Sequence, residues 1–344
     1  MSRRSFLLAG IAAANLVIWT FKVLGSRVGN IFRAQPYGNL NSIISFSSRL
    51  IAASRALETE EDDPIIRDEL AASLAGPGPL ERARSRAQAA PEGSGRKFKV
   101  GPMALRTWWF DQRLLTLLES GKQGPGPRQV VVLGAGMDTR PWRLQLPLGV
   151  SWYEVDRSDV LAAKRHALKK NGAGLEPGHT RKAYPLLTGS WKGVEADLEE
   201  PGWWESLLAS GFDPGSPVVW LAEGLLMYLE GKSVASLLST ISRLSSQNSA
   251  LLTMSLTESM LNRLSGVRSP RAELIATWKF GCPTDPTDYF AALGWEVESI
   301  STRADMATAL KLDPEICQKS PSASPGGGTL FIVAAPLAPS TEAI

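Results

Sequence analysis

Val130 to Arg140 reads Val-Val-Val-Leu-Gly-Ala-Gly-Met-Asp-Thr-Arg. An apolar, β-branched run that stops at two glycines spaced by one residue predicts a buried parallel strand feeding a tight turn before a helix. Gly134 and Gly136 carry no side chain, so the backbone there can come close to a ligand. A dinucleotide fingerprint has a third glycine three positions after the second. Thr139 stands at that place, which weakens a nicotinamide reading. Taken alone, the pair fits equally a glycine turn that closes an ordinary α/β strand.

The stretches that follow favour a ligand. Ser151 to Asp156 (Ser-Trp-Tyr-Glu-Val-Asp) reads as a second strand, and its acidic end lies about 20 positions past the glycines, where a carboxylate can accept from ribose hydroxyls. Val194 to Leu198 and Val218 to Glu223 are two further apolar runs ending in an acid. Open α/β sheets bind ligands outside the carboxyl ends of their strands. Glycines and carboxylates gathered on that edge describe a nucleoside site. The glycine turn itself has no basic residue to hold a phosphate.

With Val132 to Leu144 (Val-Leu-Gly-Ala-Gly-Met-Asp-Thr-Arg-Pro-Trp-Arg-Leu), Tyr153 to Asp156, Ala196 to Leu198 and Ala222 to Leu229 (Ala-Glu-Gly-Leu-Leu-Met-Tyr-Leu) in order, the chain resembles the leucine carboxyl methyltransferase-like family, which uses S-adenosyl-L-methionine. Ala53 to Asp68 and Arg106 to Asp111 look like the family's amino-terminal helices, so the resemblance runs from about Ser48 to Ala335. It implies an α/β fold: a class I methyltransferase (Rossmann-like) sheet with an amino-terminal helical extension, a helical insertion on the substrate side, and a last strand lying antiparallel beside its predecessor. It further implies that Arg106 grips the cofactor carboxylate and that Gly134, in one turn with Gly136, leaves room for the methionine part. Asp156 would bind ribose, Asp197 and Leu198 would frame adenine, and Glu223 would lie near the amino group. Without the resemblance, Arg106 would be a helix-surface arginine, Asp197 a helix amino-cap and Glu223 a surface carboxylate.

At 344 residues with 44% hydrophobic and 21% charged residues, one sizeable core with added helices is expected. A net charge of +3 with no basic stripe interleaved with aromatics argues against a nucleic-acid partner. Cys282 and Cys317 form no Cys-x-x-Cys pair, and His166 and His179 are the only histidines. Neither a metal site nor a catalytic triad is easily built from these residues.

Residues 1–44 are read as a hydrophobic segment and linker, 45–337 as the methyltransferase domain and 338–344 as a tail. Arg3 and Arg4 precede an apolar run from Phe6 to Phe21 and resemble a twin-arginine signal, with no convincing Ala-x-Ala site after the run. The expectation is an uncleaved membrane anchor or an organelle-targeting leader, with the catalytic domain on the cytoplasmic side. Ser45 to Leu74 is helical, with an acidic break at Glu60 to Asp63 and a second helix starting at Pro64. Gly76 to Lys99, rich in Pro, Gly, Ala and Arg, reads as a mobile, solvated connection. Arg106 to Leu118 is a helix. So is Asp159 to Lys170, with Leu161, Ala162 and Leu168 inward and Lys164, Arg165, Lys169 and Lys170 outward. Leu256 to Pro283 reads as a helical segment over the substrate, and Trp295 to Ile300 and Gly328 to Ala335 as the last strands.

Methyl transfer from a sulfonium is an in-line displacement that asks the protein chiefly for positioning and exclusion of water. An ionised carboxylate acceptor needs no general base, whereas a hydroxyl acceptor would call on Glu223, Asp138 or Tyr228. The reading is therefore an O-methyltransferase acting on a carboxylate or acidic hydroxyl of a small molecule or a protein C-terminus. A non-catalytic adenosyl-binding scaffold is the main alternative, and a nucleotide-dependent oxidoreductase a weaker one.

Overall fold

The computed structural model describes residues 40–89, 101–119, 126–178, 182–266, 272–312 and 328–338. Its strands in chain order are β1 (Gln129–Leu133), β2 (Ser151–Asp156), β3 (Ser190–Glu195), β4 (Val218–Ala222), β5 (Ala250–Leu256), β6 (Trp295–Ser301) and β7 (Thr329–Pro336). They form one sheet in the order β3-β2-β1-β4-β5-β7-β6. The first five strands run parallel, and β7 is inserted antiparallel between β5 and β6, as the resemblance implied.

Strands β1, β4 and β5 are buried at every position, which is why they read as unbroken apolar runs. Val130 and Val132 of β1 join one core with Leu105, Phe110 and Leu114, while Val131 and Leu133 join the other with Trp203, Leu207 and Leu237. One strand thus serves both layers, each buried aliphatic side chain contributing about 1.5–3 kcal/mol. The chain runs outward from β1 through β2 to β3, then returns to place β4 on the other side of β1. That reversal opens a crevice beyond the carboxyl ends of β1 and β4.

The helices before the sheet are α1 (Ile43–Thr59), α2 (Ala71–Ala75), α3 (Pro77–Ala89) and α4 (Pro102–Glu119). Those after β1 are α5 (Arg140–Arg143), α6 (Ser158–Lys170), α7 (Trp203–Ala209), a 3-10 turn (Leu226–Tyr228), α8 (Gly231–Arg243), α9 (Glu258–Leu264), α10 (Ala272–Ile275), α11 (Thr287–Ala291) and α12 (Arg303–Ala309). Ser42 caps α1 by accepting from Ser45 N at 3.0 Å.

Several expectations are corrected. No helix starts at Pro64, because Glu58 and Thr59 accept from the backbone N–H groups of Ile65 and Asp68 and hold that stretch as a loop. Pro77–Ala89 is a helix and not an irregular connection, though most of its residues are exposed, while 90–99 lie outside the described residues: Pro77 and Pro79 sit in the first turn, where the backbone N–H has no helical partner to lose. Lys164 is fully buried and not outward, because it meets the buried Glu154 at 2.5 Å, while Ala162 is exposed. Among the described residues of 256–283 only α9 and α10 are helical, and Thr257 and Cys282 form a β-bridge near its ends. The third strand is β3, ending at Glu195, with Ala196 to Leu198 following as the loop.

No described helix is long and apolar enough to cross a membrane. The expected anchor in residues 1–39, His179, Cys317 and residues 339–344 of the expected tail lie outside the described residues.

Candidate functional site

β1 runs directly into Gly134 (φ +63°) and Gly136 (φ +53°), a left-handed backbone that side-chain-bearing residues rarely adopt. Gly134 N–H donates to Val155 O at 2.8 Å, tying the turn to β2. Both glycines also permit close packing. A Cβ on Gly136 would lie 2.9 Å from Ser48 Cβ of α1, and one on Gly134 would lie 3.0 Å from Leu225 Cδ1. Helix α1 therefore rests directly on the turn.

Asp156, at the end of β2, accepts from Gly136 N–H at 2.6 Å and Arg157 N–H at 2.7 Å, one on each carboxylate oxygen. Burial pushes its carboxyl up to about 6 against those two bonds and the nearby Lys164 charge. Asp197, just past β3, accepts from Arg157 Nη1 at 2.8 Å and from Glu199 N–H at 3.1 Å. It closes a local turn and caps no helix, since α7 starts only at Trp203. Leu198 beside it packs on the second core.

Glu223 follows β4 and is held by two arginines, Arg106 Nε at 2.6 Å and Arg140 Nη2 at 2.7 Å. Burial alone would raise its carboxyl, but the Arg140 and Arg106 charges bring it down to about 2. Arg106 lies on the second turn of α4, its guanidinium over the backbone of Gly224: a Cβ there would be 2.9 Å from Nη1. Gly224 has φ +70°.

Behind these groups runs a web of buried ion pairs. Arg140 meets Asp111 of α4 at 2.7 Å, Asp138 at 2.5 Å and Glu223. Arg143 meets Asp111 at 2.6 Å, and Arg55 of α1 meets Asp68 at 2.7 Å and also donates to Met137 O of the glycine turn. Asp68 in turn accepts from Thr139 Oγ1 at 2.6 Å. Asp138, whose burial is overcome by the Arg140 charge, is lowered to about 2. The web joins α1 and α4 to the turn after β1 and the end of β4.

One cavity of about 1160 Å³ lies over this edge of the sheet, and Arg106, Gly134, Gly136, Asp156, Asp197, Leu198 and Glu223 all line it. Sequence reasoning missed Gly224, Arg55, Asp68 and Asp111, and did not foresee the reach of Arg140 to Asp111 and Glu223. A signal existed for Asp111, a carboxylate set within the apolar run Trp108 to Leu118.

A parallel sheet with one inserted antiparallel strand, a glycine turn after its first strand and acids after the next ones define a protein of the class I methyltransferase architecture. The family described as leucine carboxyl methyltransferase matches residues 49–242. A Frankia alni protein provisionally named an S-adenosyl-L-methionine-dependent methyltransferase is 34% identical over 267 residues, covering 75% of this chain and 84% of its own. A Mycolicibacterium paratuberculosis protein with the same provisional name is 31% identical over 303 residues, covering 80% and 90%. Among solved structures, a DUF574 family protein from Streptomyces avermitilis is similar at a TM-score of 0.49 and 15% identity, over 83% of this chain and 96% of that one. The chain belongs to the leucine carboxyl methyltransferase family.

Proposed function

We propose that the protein is an S-adenosylmethionine-dependent methyltransferase that methylates oxygen, on a carboxylate or an acidic hydroxyl. The observation that carries this reading is the shared cavity: seven residues from five separate stretches of chain line it together. The residues fit the cofactor in kind. Asp156 spends one lone pair of each oxygen on a backbone N–H and keeps others for a pair of ribose hydroxyls. Arg106 uses Nε on Glu223, and neither Nη has a hydrogen-bond partner among the described residues, so a fork remains for a carboxylate. Glu223, ionised at any physiological pH, suits an ammonium neighbour.

When bound, S-adenosylmethionine supplies an electrophilic methyl group: the acceptor oxygen forms the new C–O bond as the C–S bond breaks, and the sulfonium becomes a neutral thioether. The chain's own part is orientation. Arg140 locks Glu223 and Asp138 in place, and α1 roofs the turn against water. Glu223 and Asp138, each near 2 and held by arginine, are poor bases. That favours an acceptor already ionised. Calorimetric titration with S-adenosylmethionine and with NADH, followed by transfer of labelled methyl to a panel of carboxylates and phenols, tests the reading. Binding of NADH in place of S-adenosylmethionine would sink it, and cofactor binding with no acceptor methylated would favour the scaffold alternative.

A further inference from the structure

The cavity extends well past the cofactor residues. The glycine turn and the acids after β2 and β3 occupy one end, and Glu223 stands near the middle. Past Glu223 in the strand order the walls are Met254 and Leu256 of β5. Leu274 and Trp278 from the segment after α9, with Phe46 and Leu50 of α1, add further apolar lining. Lys279 N–H donates to Met227 O at 2.7 Å, which fixes Trp278 beside the loop after β4. A volume of about 1160 Å³ exceeds the range of about 300–1,000 Å³ that holds one drug-sized ligand, so a second molecule has room beside a nucleoside.

Helix α3 also borders this cavity, with Pro79, Arg82, Ala83, Arg86 and Ala87 among its lining residues. Spacing by four puts Arg82 and Arg86 on one face, and both are exposed. Arg82 lies over the Phe46 ring, 5.3 Å from its centroid. Arg84, on the other side of α3, pairs with Glu60. Within the cavity Arg55, Arg106, Arg140 and Arg143 each hold a carboxylate, whereas Arg82 and Arg86 hold none among the described residues. Two like charges one turn apart repel, and an anion between them relieves the repulsion.

We propose that the acceptor is an apolar small molecule carrying a second anionic group, a carboxylate or a phosphate, remote from the methylated oxygen, and that Arg82 and Arg86 read that group at the cavity mouth. The inference rests on the methyltransferase reading and names its substrate class. Its test uses binding, not turnover. Protein loaded with S-adenosylhomocysteine is titrated with dodecanoate, dodecanedioate, dodecanoate bearing a terminal phosphate, and a short peptide ending in leucine.

The doubly anionic probes bind roughly tenfold tighter than dodecanoate, an advantage that fades with added salt. Arg82→Gln with Arg86→Gln removes the advantage and leaves dodecanoate and S-adenosylhomocysteine affinities unchanged, while Arg84→Gln changes nothing. The better of the two tails identifies the anion. Dodecanoate binding as tightly as both doubly anionic probes, an advantage that survives in the double variant, tighter binding of the peptide, or no acid bound at all overturns the inference. Failure of S-adenosylhomocysteine to bind at the outset strikes instead at the methyltransferase reading, and the inference falls with it.

Discussion

Asp156 is the residue whose protonation the site feels most directly. With its carboxyl near 6, it is half neutral at that pH, and a neutral acid accepts fewer hydrogen bonds from ribose hydroxyls. Cofactor affinity is therefore expected to climb as pH rises through 6 and to level off above 7, measured by calorimetry across pH 5 to 8. Asp156→Asn should bind more weakly, by about 1.5–3 kcal/mol at pH 7.5, and should lose the pH dependence. An unchanged pH profile in that variant would remove Asp156 from the site. Arg106 gives a second test. Arg106→Lys cannot reproduce a planar fork, so S-adenosylmethionine should lose affinity while adenosine, which lacks the carboxylate, binds both proteins alike. Parallel losses would mean that Arg106 serves the fold through Glu223. Asp156 was legible in the sequence because a carboxylate at a strand end has a known place on the ligand edge. The web around Arg140 was not, since Asp111 and Glu223 reach it from positions 29 and 83 residues away and no local pattern carries such a pairing.

Among the elements, α1 lies in close contact with the glycine turn. Gly136→Ala would drive a Cβ against Ser48 on a backbone at φ +53°, so stability should fall by about 1–3 kcal/mol, read as a lower midpoint in urea. Ser48→Gly in the same protein should recover the steric part and leave the backbone strain. Full recovery, or none, would show that only one of the two effects acts there. The pair joining β2 to α6 makes a different prediction. Lys164→Met alone strands the buried Glu154 and should cost about 3–5 kcal/mol, whereas Lys164→Met with Glu154→Leu should return most of it. Additive losses in that double variant would deny the pairing its importance. The strands were readable because unbroken apolar runs have few other homes. Helix α3 was not, because Pro and Gly at a first turn look the same in sequence as Pro and Gly in a loop. Helix α12 was overlooked, although Thr302 and Asp305 form the reciprocal capping box that its sequence spells.

For the molecule as a whole, opposite titrations meet in one cavity. Glu223 and Asp138, lowered to about 2, contribute stability that is present above their unfolded values near 4 and lost as pH falls toward 2. Asp156, raised to about 6, works the other way: its contribution is complete below about 4 and lost as pH rises through 6. The melting temperature of the cofactor-free protein relative to Asp156→Asn should therefore drop between pH 4 and 6 and stay flat from 7 to 8. A difference independent of pH would mean that Asp156 is not shifted. The sheet order has its own consequence during synthesis. Among the described residues β6 pairs only with β7, and β7 leaves the ribosome after all the other described strands. Until it arrives, the outer edge of β5 stands open and β6 has no ladder to join, so a nascent chain halted short of residue 329 offers two unpaired edges to chaperones or to other chains.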